Sequence, residues 1–228
     1  MENSEPLSTK ERLFSAAIKI FAQRGYRQAT VRDICRLAGA ANVNAVNYYF
    51  GSKERLYRSV LETMFAEIQK RSDARARENK DRTGKERLRD LITEYCTVIF
   101  SGGDTSTDLM KIFISEMTRP SPYLDEMVTK YTFPHVEEFL GALRDIMGPD
   151  TPREVLRDCG ASIVGQIVYY SLVWPVFSRV FTDHPGMEQY HERLAEHVFR
   201  FSLGGLKAAK ARVAAEKRSG RSKRGEGL

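Results

Sequence analysis

Apolar residues recur in this chain at intervals of three and four positions, the spacing that lines one face of an α-helix. β-Branched residues mostly follow the same spacing, and no Asn-Gly or Asp-Gly hairpin turn separates two alternating runs. The pattern predicts an all-α fold of about nine helices. Turn-rich stretches (SGGDTST, RPSP, GPDTP and HPG) divide the second part of the chain into predicted helices at 105–118, 122–147, 152–173 and 187–209.

Length and composition restrict the class of protein further. The 228 residues suffice for two unequal domains, and 42% hydrophobic with 29% charged residues is typical of a globular protein. No uninterrupted apolar run approaches the roughly 18–20 residues of a membrane span, and MENSEPLSTKER lacks the apolar centre of a signal peptide. We therefore expect a cytoplasmic protein without a membrane partner.

Cysteine and histidine give no sign of metal chemistry. Cys35, Cys96 and Cys159 are widely spaced in partly apolar stretches, which favours reduced, buried thiols. The histidines form no HExxH motif and pair with no cysteine, so we expect no metal and no cofactor. The sequence also lacks a GxSxG motif and a phosphate-binding glycine loop, which argues against an enzyme.

Positive charge is concentrated at the two ends of the chain. Residues 1–60 hold ten Lys/Arg against five Asp/Glu, and residues 207–228 hold eight against two. Because the whole chain has a net charge of +6, its middle is acidic. This distribution suits a protein that presents basic ends to a polyanion, although for the tail from residue 210 a solvated, disordered segment is the simpler interpretation.

Capping signals define two helices at the start of the chain. Ser8 and Glu11 form a capping box for the first helix, and Gly25 supplies its left-handed end. Thr30 is placed to cap a short second helix that ends at Gly39. A two-alanine turn follows.

A third short helix is predicted after this turn. Asn42 is expected to cap it, and the helix runs from Val43 to Phe50 with Val43, Val46 and Phe50 pointing inward. Lys53 then begins a long helix. From Lys53 to Ala74 that helix would be roughly 30 Å long, enough to act as a rigid lever between two domains.

The arrangement of these helices is that of a helix-turn-helix, in which the second short helix enters the major groove of DNA. Its outward residues are small or polar and include no acid. An Asn amide can bridge N6 and N7 of adenine, and Ala can contact a thymine methyl group. Cations and free backbone N–H groups at the flanking helix starts can bind phosphates. The alternative for Tyr48 and Tyr49 is aromatic packing, and the alternative for Lys53 is an ordinary exposed lysine. The predicted DNA-binding residues are Thr30, Arg32, Asn44, Ala45, Asn47, Tyr48, Tyr49 and Lys53.

Residues 8–60 also resemble the amino-terminal domain of the TetR family, through FAQRGYRQATVRDICRLAGA and VNYYFGSKERLY. The NYYFGSKE form is similar to the CecR-like branch of that family. The resemblance implies DNA contacts by Arg32, Asn44, Asn47, Tyr48, Tyr49 and Lys53. Asn47 stands where many members have Tyr, and the turn AGAAN is one residue longer than usual.

For the rest of the chain, the resemblance implies a helical domain that binds a small-molecule effector and dimerises. The predicted domains are then 1–52 for DNA binding, 53–209 for effector binding and dimerisation, and 210–228 as the basic tail. Aromatic residues and methionines are the candidates for an effector pocket, with ordinary core packing as their alternative. Those chosen are Tyr95, Phe100, Met110, Phe113, Met117, Tyr169 and Trp174.

The predicted helices at 152–173 and 187–209 carry broad apolar faces. This suggests that they pack against more than their own domain. Paired with their symmetry mates, they would form a four-helix bundle with an isologous interface. The alternative is that both are interior to a monomer. The interface candidates are Ile163, Val164, Ile167, Val168, Leu194, Val198 and Phe201.

The predicted function is therefore a ligand-responsive repressor that binds a palindromic operator in double-stranded DNA as a homodimer. An activator or a ligand-independent regulator of the same fold remains an alternative, because the sign of regulation depends on operator position. A non-sequence-specific nucleic-acid binder that uses the basic ends is the other alternative.

Overall fold

The computed structural model describes residues 7–78, 82–100 and 104–225, and all regular structure in these ranges is helical. The all-α prediction is thus confirmed for the described residues. They form ten α-helices and one turn of π-helix rather than nine helices. The α-helices are α1 Thr9–Gln28, α2 Val31–Leu37, α3 Ala45–Phe50, α4 Lys53–Glu78, α5 Gly84–Phe100, α6 Asp104–Thr118, α7 Leu124–Met127, α8 Phe133–Met147, α9 Arg153–Val180 and α10 Met187–Gly225.

The additional helix comes from the segment predicted as one helix at 122–147. There a π-helical turn, Val128–Thr132, separates the single turn of α7 from α8. The end of α9 also differs from the prediction, because the helix continues through Pro175 to Val180.

The basic tail differs most from its expectation. α10 continues through Gly225, whereas residues 210–228 were expected to be disordered. Alanine, lysine and arginine, which favour helices, dominate this stretch, and Val213 on it is buried. Lys210 and Lys217 donate hydrogen bonds to the carbonyl oxygens of Ile146 and Asp150 at 3.1 and 3.0 Å. These contacts hold the extension against the end of α8.

The chain packs as two compact units. Unit 1 comprises Met1–Arg75 and Gly103–Pro134, and unit 2 comprises Ala76–Gly102 and His135–Leu228. Unit 1 therefore contains α1 to α3, most of α4, and α6 and α7. These units are defined by packing, and the functional division at 1–52, 53–209 and 210–228 stays a prediction.

Unit 1 has a continuous hydrophobic core. Phe21 and Ile34 from the first helices pack with Leu61 of α4 and Ile112 of α6, and each of these side chains is at most 1% exposed. Burial of one such side chain stabilises a fold by about 1.5–3 kcal/mol. α4 and α6 are thus structural parts of the unit that carries the helix-turn-helix.

Unit 2 is built around α5, α8, α9 and α10. Leu88, Leu143, Leu156 and Val198 are fully buried in its core. α5 begins at Gly84, where an added Cβ would lie only 2.7 Å from the Ala142 carbonyl oxygen. Glycine is needed there because the two backbones approach so closely.

α9 has, among the described helices, the length and hydropathy of a possible membrane span. A single such helix is weak support for a membrane, since core helices of water-soluble proteins have the same properties. α9 buries Leu156, Ile163 and Ile167 in the core of unit 2. The predicted reduced thiols are confirmed as free, with Cys35 and Cys96 buried and Cys159 half-buried. Burial raises the pKa of Cys96 to about 12.

Candidate DNA-binding surface

The start of α2 is fixed by a buried aspartate. Asp33 is 8% exposed and accepts hydrogen bonds from the Thr30 hydroxyl at 2.7 Å, from Arg24 at 2.8 Å and from Arg36 at 2.6 Å. The Thr30 hydroxyl also accepts from the Asp33 backbone N–H at 3.1 Å, which caps α2 as predicted. The Thr30 bond and the two arginines lower the pKa of Asp33. The cluster ties α2 to α1 while leaving Thr30 exposed.

The turn between α2 and α3 shortens the recognition helix. The amide oxygen of Asn42 accepts from the Asn44 N–H at 2.8 Å, and α3 begins only at Ala45. The prediction of a helix from Val43 was wrong at its start, because Asn42 stabilises a turn instead of capping a helix. Val43 is 52% exposed rather than inward-pointing.

α3 nevertheless presents the predicted polar face. Val46 is fully buried, whereas Asn44 and Asn47 are exposed. Tyr48 is 82% exposed and Tyr49 is 39% exposed, and their rings meet edge to face at 4.8 Å. A short helix held by one buried valine thus offers two amides and two tyrosines to solvent. Ala45, also predicted to face outward, is half-buried against the core.

Lys53 makes contacts that the sequence did not indicate. Its Nζ donates to the carbonyl oxygens of Tyr26 and Ala29 at 3.0 and 3.1 Å and lies 4.7 Å from the Tyr26 ring centre. Lys53 therefore stabilises the carboxyl end of α1 with two of its three N–H donors. Arg32, in the first turn of α2, is exposed.

Sequence reasoning missed a buried acid in unit 1. Glu116 is 3% exposed and its Oε1 accepts a 2.6 Å hydrogen bond from the Tyr57 hydroxyl. Its Oε2 accepts from the N–H and the hydroxyl of Ser121 at 3.1 and 2.9 Å. The one available signal was a lone acid within the apolar stretch KIFISEM.

The effector-pocket candidates are divided between the two units. Met110, Phe113 and Met117 belong to unit 1, and Tyr95, Phe100, Tyr169 and Trp174 belong to unit 2. Met117 and Tyr169 are 58% and 61% exposed, and the others are half-buried. The location of an effector site stays a prediction.

The interface candidates need correction. Ile163, Ile167, Leu194 and Val198 are at most 3% exposed in the single chain, so they have no surface to offer a partner. Phe201 is 66% exposed, and Val164 and Val168 are half-buried. The exposed apolar residues of α9 lie instead on a stripe with helical spacing: Tyr169, Leu172, Val176 and Val180.

The helix-turn-helix with its exposed polar α3 places the chain among DNA-binding proteins that read the major groove through one short helix. Comparison with known families agrees. Residues 13–60 match the family of bacterial regulatory proteins called TetR. Residues 84–206 match the C-terminal domain of the HTH-type transcriptional dual regulator CecR. This second match covers more than half of the chain, which therefore belongs to the TetR-type transcriptional regulators with a CecR-type C-terminal domain.

Individual relatives match parts of the chain. The HTH-type transcriptional repressor NicS of Pseudomonas putida is 40% identical over 58 residues, which are 25% of this chain and 27% of NicS. The probable HTH-type transcriptional regulator YttP of Bacillus subtilis is 25% identical over 125 residues, 55% of this chain and 58% of YttP. The chain thus spans about a quarter and somewhat over half of these two curated relatives.

Solved structures share the fold over most of the chain. FadR from Bacillus subtilis, in complex with stearoyl-CoA, has a TM-score of 0.62 at 18% identity and covers 86% of this chain and 98% of its own. FadR from Bacillus halodurans has a TM-score of 0.63 at 18% identity, with 89% and 98% covered. At this identity the likeness concerns the fold alone.

Proposed function

We propose that this TetR-type regulator is a homodimeric, ligand-responsive repressor that binds a palindromic operator. The observation that carries the proposal is the exposed polar face of α3, with Asn44, Asn47 and Tyr48 on a helix anchored by the fully buried Val46. A recognition helix needs this combination of a fixed backbone and free hydrogen-bonding side chains.

Base contacts and phosphate contacts are assigned to different residues. The two asparagine amides would bind base edges, with adenine as the preferred base. Arg32 and the remaining N–H donor of Lys53 would bind phosphates, which adds affinity without sequence preference. Tyr48 and Tyr49 are also proposed to bind DNA, because their hydroxyls suit phosphate or base contacts. Thr30 and Ala45 remain the other two predicted contact residues.

Two-fold symmetry is proposed because one helix as short as α3 rarely gives useful specificity on one half-site. The exposed α9 stripe of Tyr169, Leu172 and Val176, together with Phe201 on α10, supports this proposal. Exposed apolar residues that follow one another along a helix face are typical of an interface. A second copy of the chain would cover it isologously.

Ligand response is proposed from the fold, which holds stearoyl-CoA in FadR from Bacillus subtilis. The acidic middle of the chain suits a neutral or cationic compound, and no particular ligand is assigned. A cytoplasmic location follows from operator binding. Activation is a second candidate, because the matched C-terminal family is described as that of a dual regulator.

The DNA-binding proposal predicts that Asn44→Ala and Asn47→Ala lower affinity for the preferred duplex by about 1–3 kcal/mol each and change affinity for random duplex little. The preferred duplex is the one that the full-length chain selects from a random-sequence library, and affinities are measured by fluorescence anisotropy at fixed salt. Gln189→Ala, which removes an exposed amide in unit 2, is the matched control.

Equal losses on both duplexes would show that the asparagines do not read bases. If the wild-type chain selects no two-fold symmetric motif, the proposal of a palindromic operator is wrong.

A further inference from the structure

One segment of unit 1 is both preceded and followed along the chain by residues of unit 2. Gly103–Pro134 belongs to unit 1 together with the helix-turn-helix, whereas unit 2 consists of Ala76–Gly102 and His135–Leu228. The proposed lever of α4, from Lys53 to Ala74, lies entirely in unit 1, so α4 is only one of three covalent links between the units.

Two of the contacts between this segment and helices α1 and α4 belong to one hydrogen-bonded network. The first is the buried hydrogen bond of 2.6 Å from the Tyr57 hydroxyl on α4 to Glu116 on α6. The carboxylate is also bound by the N–H and hydroxyl of Ser121. Each Glu116 oxygen thus has a donor, and the donors come from α4 and from the turn after α6.

The second contact runs from Tyr123 to the end of α1. The Tyr123 backbone N–H donates to the Ser121 hydroxyl oxygen at 3.3 Å, which continues the first network. The Tyr123 and Tyr26 hydroxyls are 3.3 Å apart, and their rings meet edge to face at 5.7 Å. The Tyr26 carbonyl and ring both bind Lys53. A chain of contacts therefore leads from the α6–α7 turn to a predicted phosphate-binding residue.

We propose that Glu116 and Tyr123 are positioning residues of the DNA-binding surface, which set the placement of α4 and Lys53 through Tyr57 and Tyr26. A buried, fully bonded carboxylate specifies one geometry, because displacement of α6 relative to α4 would break the bond that it accepts from Tyr57. This inference rests on the proposed function, since it concerns the geometry of the same surface.

The test compares Tyr57→Phe and Tyr123→Phe with Ile112→Val in the full-length chain. Each tyrosine variant removes one hydroxyl of the network. Ile112→Val removes one methylene from the core on α6 and leaves the network intact. All three are expected to lower the unfolding temperature. DNA binding is therefore measured well below that temperature, on the duplex selected by the wild-type chain.

The tyrosine variants should lose about 2- to 30-fold in affinity for this duplex, the range typical of residues that couple sites. The slope of log affinity against log salt concentration should also become shallower, by up to about one per chain, because displaced Lys53 no longer contacts a phosphate. Ile112→Val should bind as the wild type does. Glu116→Gln should also lose affinity, because its NH2 group would replace one of the two oxygens that accept from Tyr57 and from Ser121.

The inference is overturned if the tyrosine variants bind DNA as Ile112→Val does, because the network would then only stabilise the fold. It is also overturned if Glu116→Gln binds this duplex as the wild type does. A wild-type chain that does not prefer its selected duplex over random DNA would instead refute the proposed function, so the two failures are distinguishable.

Discussion

At the scale of single residues, the DNA-binding surface depends on side chains with two tasks. Lys53 fixes the carboxyl end of α1 through two carbonyl oxygens and is also the residue proposed to bind a phosphate. Thr30 caps α2 and donates a hydrogen bond to Asp33. These two bonds fix the exposed Thr30 side chain at the start of that helix. Arg32 is exposed on the same helix. Loss of these residues should therefore have different consequences.

Lys53→Ala should lower both stability and DNA affinity, whereas Arg32→Ala should lower DNA affinity alone. Lys53→Ala leaves two carbonyl oxygens without their donor, at a cost of about 1–3 kcal/mol in the free energy of unfolding. Each variant should make the slope of log affinity against log salt concentration shallower by about one per chain, as expected for the loss of one phosphate contact. Urea unfolding and anisotropy titrations at several salt concentrations measure the two effects. An unchanged salt dependence would remove the residue concerned from the phosphate-binding set.

At the scale of helices, local sequence signals predicted where α1 and α2 begin. They failed where a turn or a tertiary contact determines the structure. The Ser8–Glu11 capping box is present at α1, and Thr30 caps α2, because both caps depend only on residues three positions away. The start of α3 was missed because Asn42 has the same residue type whether it caps a helix or closes a turn. The four buried interface candidates were misassigned because periodicity shows an apolar face but not what covers it.

Gly84 allows a test of helix packing in unit 2. Gly84→Ala should destabilise the protein, because the added Cβ would lie 2.7 Å from a backbone oxygen and 2.7 Å from the Asp145 Cβ. Overpacking of this kind costs typically about 1–3 kcal/mol. Gly141→Ala on α8 is the matched control: its Cβ would meet nothing within 4 Å, and alanine favours a helix.

Chemical unfolding of the two variants should therefore give shifts of opposite sign relative to wild type. A Gly84→Ala variant as stable as the wild type would show that α5 and α8 can separate at no cost.

At the scale of the whole molecule, the sequence predicted the class of protein better than its assembly. The helix-turn-helix and its polar face follow from residues close together in the chain, and the family matches agree with them. The packing of 103–134 with the DNA-binding helices was not predictable, because nothing local distinguishes α6 from a helix of the second unit. The surface proposed for a partner, the α9 stripe with Phe201, could be recognised only after the core of one chain was known.

The proposed dimer can be tested on that stripe. Val176 is 62% exposed, so Val176→Glu should leave the fold of one chain intact. In a dimer with this stripe at its centre, the new carboxylate would be buried without a partner, which costs several kcal/mol. Sedimentation equilibrium should then detect monomers, and binding to the selected palindrome should be lost at concentrations where the wild type binds.

Two further variants separate assembly from folding. Ile167→Glu, at a position 1% exposed within one chain, should lower the unfolding temperature itself, because the charge enters the core of unit 2. Thr93→Glu on the exposed side of α5 adds the same charge elsewhere and should change neither property. If Val176→Glu and Phe201→Glu both sediment as dimers, the stripe is not the interface. A dimer that binds a two-fold operator would then have to form through another surface, because reading two half-sites requires two recognition helices in a fixed relation.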